Sequence, residues 1–195
     1  MVPMVLEQTS RGSQYMDLYS RLLKDRILFL SNEITDQVAN IVIAQLLFLD
    51  CENPGADIHM YINSGGGSCV AGNAIIDCMG IIRSKTITYG IGSIASMASL
   101  IAACGHKRYL LPNTRTMIHS VSSGMSRSTI HDMKISYEEA QKMNEKLMQT
   151  YVDHNTKGKT IEDFMRDTQR DYYMSSQEAI DYGLADEIIT KLPSK

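Results

Sequence analysis

No run of apolar residues in this sequence is long enough to cross a membrane: Ile41 to Leu49 is interrupted by Gln45, and Ile94 to Cys104 is too short. Neither sign of charge dominates. With 19 Lys and Arg against 22 Asp and Glu, a formal net charge of -3, there is no basic footprint for nucleic acid. The opening Met1-Val2-Pro3-Met4 lacks a charged and then apolar leader, so secretion is not expected and a cytoplasmic location is. Cysteine is scarce. Cys51, Cys69, Cys78 and Cys104 have neither metal-ligand spacing nor the density of a disulfide framework, and they read as reduced core thiols. No metal and no cofactor is expected. A G-x-x-x-x-G-K-S/T signature is also missing, which removes the usual nucleotide reading of Ser64-Gly65-Gly66-Gly67-Ser68. What remains is a chain of 195 residues with 44% hydrophobic content, enough for one domain over 1–195 with a sizeable core.

The stretch that carries chemistry is Gly92-Ser93-Ile94-Ala95-Ser96-Met97-Ala98-Ser99. It sets Ser96 among small residues where an apolar strand, Thr86 to Gly90, gives way to an apolar helix. Small neighbours let a substrate approach, and the helix start beyond offers amide N–H groups to an oxyanion. Ile94 and Ala98 exclude a G-x-S-x-G elbow, so the serine needs a base and an orienting acid. Thr116-Met117-Ile118-His119 alternates as a strand with His119 at its end, and Arg166 to Asp171 supplies Asp167 and Asp171 before another short strand. Serine chemistry uses an imidazole to take the hydroxyl proton and a carboxylate to fix its tautomer. Ser93 and Ser99 compete with Ser96, and His59, His106, His131 and His154 are the other imidazoles.

Periodicity gives strand, turn and helix units: a strand at Ile27 to Leu30, a helix capped by Thr35 with Val38, Ile41, Val42, Leu46 and Leu49 on one face, and a stop at Asn53-Pro54-Gly55. Strands follow at Ile58 to Ile62 and Ile87 to Gly90, helices at Val70 to Ile82 and Met97 to Cys104. Repeated crossovers imply an α/β core with parallel pairing. Thr129 to His154 reads as one helix with Ile130, Met133, Tyr137, Ala140, Leu147 and Tyr151 on a face; at about 1.5 Å per residue it should project. Gly158 and Thr160-Ile161-Glu162-Asp163 close it and open a shorter helix.

Several ordered segments give the chain a resemblance to the proteolytic subunit of the caseinolytic (Clp) protease, the ClpP family of self-compartmentalised serine peptidases. They include Val2 to Gly12, Tyr19 to Lys24, Tyr61-Ile62-Asn63-Ser64, Ala95-Ser96-Met97 and Leu111-Pro112-Asn113. Met117-Ile118-His119, Arg166-Asp167-Thr168 with Arg170-Asp171, Glu178-Ala179 and Tyr182-Gly183-Leu184 complete them. The resemblance implies a ClpP/crotonase-like spiral of beta-beta-alpha units, with residues 1–18 as an N-terminal axial segment and a projecting handle at 120–156. It implies Ser96 as nucleophile, His119 as base, Asp171 as acid, and an oxyanion hole from the Gly67 and Met97 amides.

It further implies two stacked heptameric rings that degrade unfolded polypeptides fed by an AAA+ unfoldase, with no membrane or nucleic-acid partner. Tyr61, His59 and Ile81 fall at the unfoldase-docking clefts, where relatives commonly carry aromatics in place of His59 and Ile81. Gln169 replaces an acidic residue that pairs with arginine, here Arg170, at the ring-ring contact. Gly65 stands for a usual proline, and Ser120-Val121 for Gln-Pro. These departures suggest a divergent paralogue working in a mixed ring with a second proteolytic subunit. A crotonase-type acyl-CoA enzyme is the alternative of another class, although no glutamate lies between Cys69 and His106.

Overall fold

The computed structural model describes residues 2–9, 12–122, 124 and 127–191. Met1, Ser10 and Arg11 of the expected axial segment, Ser123, Met125 and Ser126 of the expected handle, and residues 192–195 lie outside them. The chain opens with an antiparallel hairpin, β1 (Met4–Thr9) and β2 (Gly12–Asp17), then a short helix α1 (Leu18–Lys24). Sequence periodicity gave no sign of this hairpin, because both strands are largely exposed and carry no buried apolar row. Glu7 ties it down through Arg21 at 2.9 Å and Lys24 at 2.6 Å.

The units that follow are β3 (Ile27–Leu30), α2 (Asp36–Glu52), β4 (Ile58–Ser64), α3 (Cys69–Ile81), β5 (Thr86–Ala95), α4 (Met97–Ala103), β6 (Lys107–Leu110) and β7 (Arg115–Ile118). Then come α5 (Ile130–Asp153), α6 (Ile161–Asp167), β8 (Tyr172–Met174), α7 (Ser176–Tyr182) and β9 (Glu187–Ile188). Seven strands form one mostly parallel sheet in the order β3-β4-β5-β6-β9. β7 pairs parallel with the far end of β5, and β8 runs antiparallel beside β7. This is the α/β class that the alternating strands and helices predict.

Alternation along the strands divides the sheet into two faces. Leu28, Leu30, Ile58, Met60 and Ile62 are buried with Leu46 and Leu49 of α2, Ile75 of α3 and Ile101 of α4. On the other face Phe29, Tyr61, Tyr89 and Tyr109 stand in register across four strands. Their rings stack at 5.4, 4.5 and 5.2 Å in turn, a geometry that adds to the plain burial of such large side chains.

Four expectations need correction. β5 runs on to Ala95 instead of ending at Gly90, since Ser93, Ile94 and Ala95 find partners on β7. Ile41 is 59% exposed, as α2 turns Val42, Leu46 and Leu49 inward and leaves Ile41 outside that row. Cys51 is exposed, near the end of α2, so it is no core thiol; Cys78 and Cys104 are buried. Along α5 the expected apolar face is likewise split. Leu147 and Tyr151 are buried, whereas Ile130 and Tyr137 stay more than half exposed.

The edge of the sheet is fastened by a charge pair. Arg108, whose side chain is 6% exposed, bonds both carboxylate oxygens of Asp186 and the His154 carbonyl at 2.7 Å. Burial pushes the Asp186 carboxyl up, but the hydrogen bonds and charge of Arg108 outweigh it, so the group titrates below the usual carboxylate range. A depressed folded value means the contribution is complete above the unfolded pKa of about 4 and is lost as pH falls through the folded value. Asp186→Asn is therefore expected to cost about 3 kcal/mol at neutral pH by leaving Arg108 buried without its partner. It should also flatten the acid limb of stability against pH. Urea unfolding of both proteins at a series of pH values checks this.

Candidate active site

Ser96 joins the end of β5 to the start of α4 and adopts φ 56°, ψ -130°. A side chain in the positive-φ region costs about 1–3 kcal/mol and persists only where the surroundings hold it. Here they do. The Ser96 N–H donates to the Met117 carbonyl at 2.9 Å, which extends the β5–β7 ladder by one residue. Its carbonyl accepts from Ser99 N at 3.0 Å and Ser99 Oγ at 2.7 Å. Ser96 itself remains partly accessible at the turn.

β7 sets the imidazole. His119 follows its last residue, and His119 Nε2 lies 2.8 Å from Ser96 Oγ. That is hydrogen-bond reach for proton removal from the hydroxyl. Asp171 is placed by β8. The antiparallel register pairs Thr116 with Met174, Met117 with Tyr173 and Ile118 with Tyr172, and one further step sets Asp171 opposite His119. Among the described residues no hydrogen bond or ion pair joins the two side chains, and Asp171 is exposed. Asp167 is engaged elsewhere. It accepts from Arg166 Nε and from the Tyr182 hydroxyl, both at 2.9 Å, and lies 3.9 Å from Lys159 Nζ. Its surroundings are thus a built network, not the solvated helix face that its charged neighbours suggest.

The glycine loop packs directly on this turn. Ile34 N donates to the Gly66 carbonyl at 2.9 Å and Ser68 N to the Ile34 carbonyl at 2.8 Å, a single parallel bridge that bypasses Gly67. Ser64 Oγ accepts from Gly66 N at 3.1 Å and donates to the Asn32 carbonyl at 2.6 Å. Among the described residues neither Gly67 N–H nor Met97 N–H has a hydrogen-bond acceptor. Two unpaired amides at one wall are the donor set an oxyanion needs. Gly67, Met97, Ser96 and His119 line the same small cavity of about 50 Å³, with Cys69 and Leu147. Cys69 is half-buried there, so it too departs from the core-thiol expectation.

The residue the sequence reading passed over is Gly66. A Cβ on it would lie 2.7 Å from both the Ala95 carbonyl oxygen and Ser96 Cβ, at φ 96°. Position in a Gly-Gly-Gly run gave no means of telling it from Gly65, which has nothing within 4 Å. Beyond the small cavity runs a wider groove of about 420 Å³ beneath α5, lined by Ser120, Val121, Tyr137, Ala140, Asn144 and Met165. Ser120-Val121 is anchored: Ser120 Oγ donates to the Thr168 carbonyl at 2.7 Å and Val121 N to Asn144 Oδ1 at 2.9 Å.

The other expected residues sit apart from this site. His59 Nδ1 and the Tyr89 hydroxyl are 2.9 Å apart, and Tyr61 stacks in the aromatic row. Tyr61 borders a cleft of about 290 Å³ with Ile91, Leu111, Pro112 and Ile189. Ile81 ends α3, is 77% exposed and lines no part of that cleft. Gln169 and Arg170 are exposed between α6 and β8, and among the described residues Arg170 forms no ion pair.

A mostly parallel α/β sheet in which the serine after β5 bonds the imidazole after β7, with two amides lacking acceptors among the described residues, suits hydrolysis of acyl bonds. The family follows from the sequence match. The Clp protease family model matches residues 10–192. The chain belongs to the Clp protease family and is a ClpP-type protease, a peptidase among hydrolases. Among the described residues no helix is long and apolar enough to cross a membrane.

Gly66→Ala is expected to displace the Ser96 turn and abolish labelling by a serine-reactive fluorophosphonate. Gly65→Ala should label like the parent and be more stable by about 0.4–1 kcal/mol, since it restricts only the unfolded chain. In-gel fluorescence and urea unfolding of the pair read both effects.

Proposed function

We propose that this chain is a serine endopeptidase, the proteolytic subunit of an ATP-dependent Clp protease that degrades unfolded polypeptides. The observation that carries the reading is the 2.8 Å contact between His119 Nε2 and Ser96 Oγ at a positive-φ turn. In this reading His119 takes the hydroxyl proton as Ser96 Oγ attacks the scissile carbonyl, then gives it to the leaving amine. The acyl-enzyme is hydrolysed by water through the same two steps, with His119 again as base and acid. Gly67 and Met97 N–H groups receive the oxyanion of each tetrahedral intermediate. Asp171, opposite His119, orients the imidazole and stabilises its charged form once the carboxylate closes on it.

Peptide hydrolysis needs no nucleotide, so the ATP dependence belongs to a Clp-type AAA+ unfoldase. The stacked aromatic face with Tyr61 and His59, together with exposed Ile81, is the proposed docking surface. The exposed Gln169-Arg170 corner is the proposed ring-ring contact in an assembly of two heptameric rings, and the cytoplasm is the proposed location. The family match leaves the acyl-CoA alternative without support.

A second reading has its own observation. Among the described residues no hydrogen bond joins Asp171 to His119, which supports a subunit that is silent alone and acts in a mixed ring with a second proteolytic paralogue. Peptide turnover and fluorophosphonate labelling of the chain and of Ser96→Ala test the first reading. Activity should fall by about 10⁴-fold or more in the mutant. Labelling that persists in Ser96→Ala would reject Ser96 as nucleophile. Silence of the chain alone, relieved by adding the second subunit and dependent on Ser96, would select the mixed ring.

A further inference from the structure

Ser99 and Tyr151 lie outside the Ser96, His119 and Asp171 set, yet both touch the peptide that follows the nucleophile. Ser99 Oγ donates to the Ser96 carbonyl at 2.7 Å, and the Tyr151 hydroxyl is 3.4 Å from the same oxygen. The two hydroxyl oxygens are 2.6 Å apart. Each hydroxyl has one proton. Because Ser99 spends its proton on the Ser96 carbonyl, the short contact is filled by Tyr151 donating to Ser99 Oγ. The result is a directed chain, Tyr151 to Ser99 to Ser96 C=O, buried at 4% and 2% exposure. Burial also pushes the Tyr151 phenol up, so it stays a neutral donor throughout the working pH range.

The accepting oxygen belongs to the same planar peptide whose nitrogen is Met97 N. In a trans peptide the direction of C=O fixes that of N–H. Hydrogen bonds to the oxygen also polarise the amide and strengthen its N–H as a donor. Met97 N–H has no acceptor among the described residues, and Met97 lines the small cavity beside Ser96.

We infer that Ser99 and Tyr151 are positioning residues: together they lock and polarise the Ser96–Met97 peptide so that Met97 N–H is held toward the oxyanion. The inference rests on the peptidase reading for its chemistry. It also gives α5 a part in the site, since Tyr151 sits in the last turn of that helix. A purely structural role for Tyr151 is separable, because its ring stacks on Phe164 at 5.2 Å and 11° whether or not it bears a hydroxyl.

The test uses the full chain with Tyr151→Phe, Ser99→Ala and both together. In a sample labelled with 15N-methionine, the Met97 amide signal is assigned through Met97→Leu. It should shift in each variant while the other methionine amides hold. On a fluorogenic peptide, kcat should fall about 10- to 100-fold, less than or up to the loss of a whole oxyanion donor, with KM within about twofold. A peptide aldehyde, whose hemiacetal oxygen occupies the oxyanion position, should weaken by the same factor as kcat. An unmoved Met97 amide overturns the inference. So does unchanged kcat, or a loss in which KM and the thermal midpoint move with kcat. A wild-type chain that neither labels with fluorophosphonate nor turns over peptide would count against the peptidase reading alone, because the Met97 amide reports on the positioning without activity.

Discussion

The peptide between Ser96 and Met97 is the constraint around which the site is arranged. Its nitrogen has no acceptor among the described residues, and its oxygen is bonded into α4, with Tyr151 of α5 reaching it through Ser99. It holds φ 56° at Ser96 while β7 accepts the Ser96 N–H and Ser99 and Leu100 donate to the carbonyl. The same turn leaves no room for a Cβ on Gly66, so the glycine loop and the serine turn fix one another. Strain of this kind is sustained by the parallel sheet behind it, whose buried Ile62, Ile94 and Ile118 hold β4, β5 and β7 in place.

The two faces of that sheet do different work. One buries the aliphatic core and brings the ends of β5 and β7 together, where Ser96 and His119 meet. The other carries the stacked Phe29, Tyr61, Tyr89 and Tyr109, bordered by clefts with apolar linings. Tyr89 is buried within that row, while Phe29, Tyr61 and Tyr109 are partly exposed. His59 belongs to the aromatic side, bonded to the Tyr89 hydroxyl and apart from Ser96.

The incomplete meeting of Asp171 and His119 is the most informative feature of the candidate site. β8 is a short strand that pairs with β7, and Asp171 lies one residue before it, opposite His119. Neighbouring Gln169 and Arg170 are exposed on the same turn, so packing at that corner is positioned to influence the carboxylate.

Much of this was legible in the sequence, and for definite reasons. Strands β3 and β4, the caps at Thr35 and Thr160, and the helix capped by Thr129 were readable because apolar period and capping chemistry are local. Ser96 and His119 were readable as small-residue turn and strand end. By itself the sequence determined the α/β class, the run of crossovers and the residues able to carry serine chemistry. Only the tertiary structure decided that β5 continues to Ala95, that Asp167 is spent on Tyr182 and Arg166, and that Gly66 rather than Gly65 is sterically required. It alone joined Tyr151 to Ser99 across 52 residues, and through Ser99 to the Ser96 carbonyl. Those outcomes depend on which strands become neighbours and which groups compete for one another across long separations, and no local pattern records that competition.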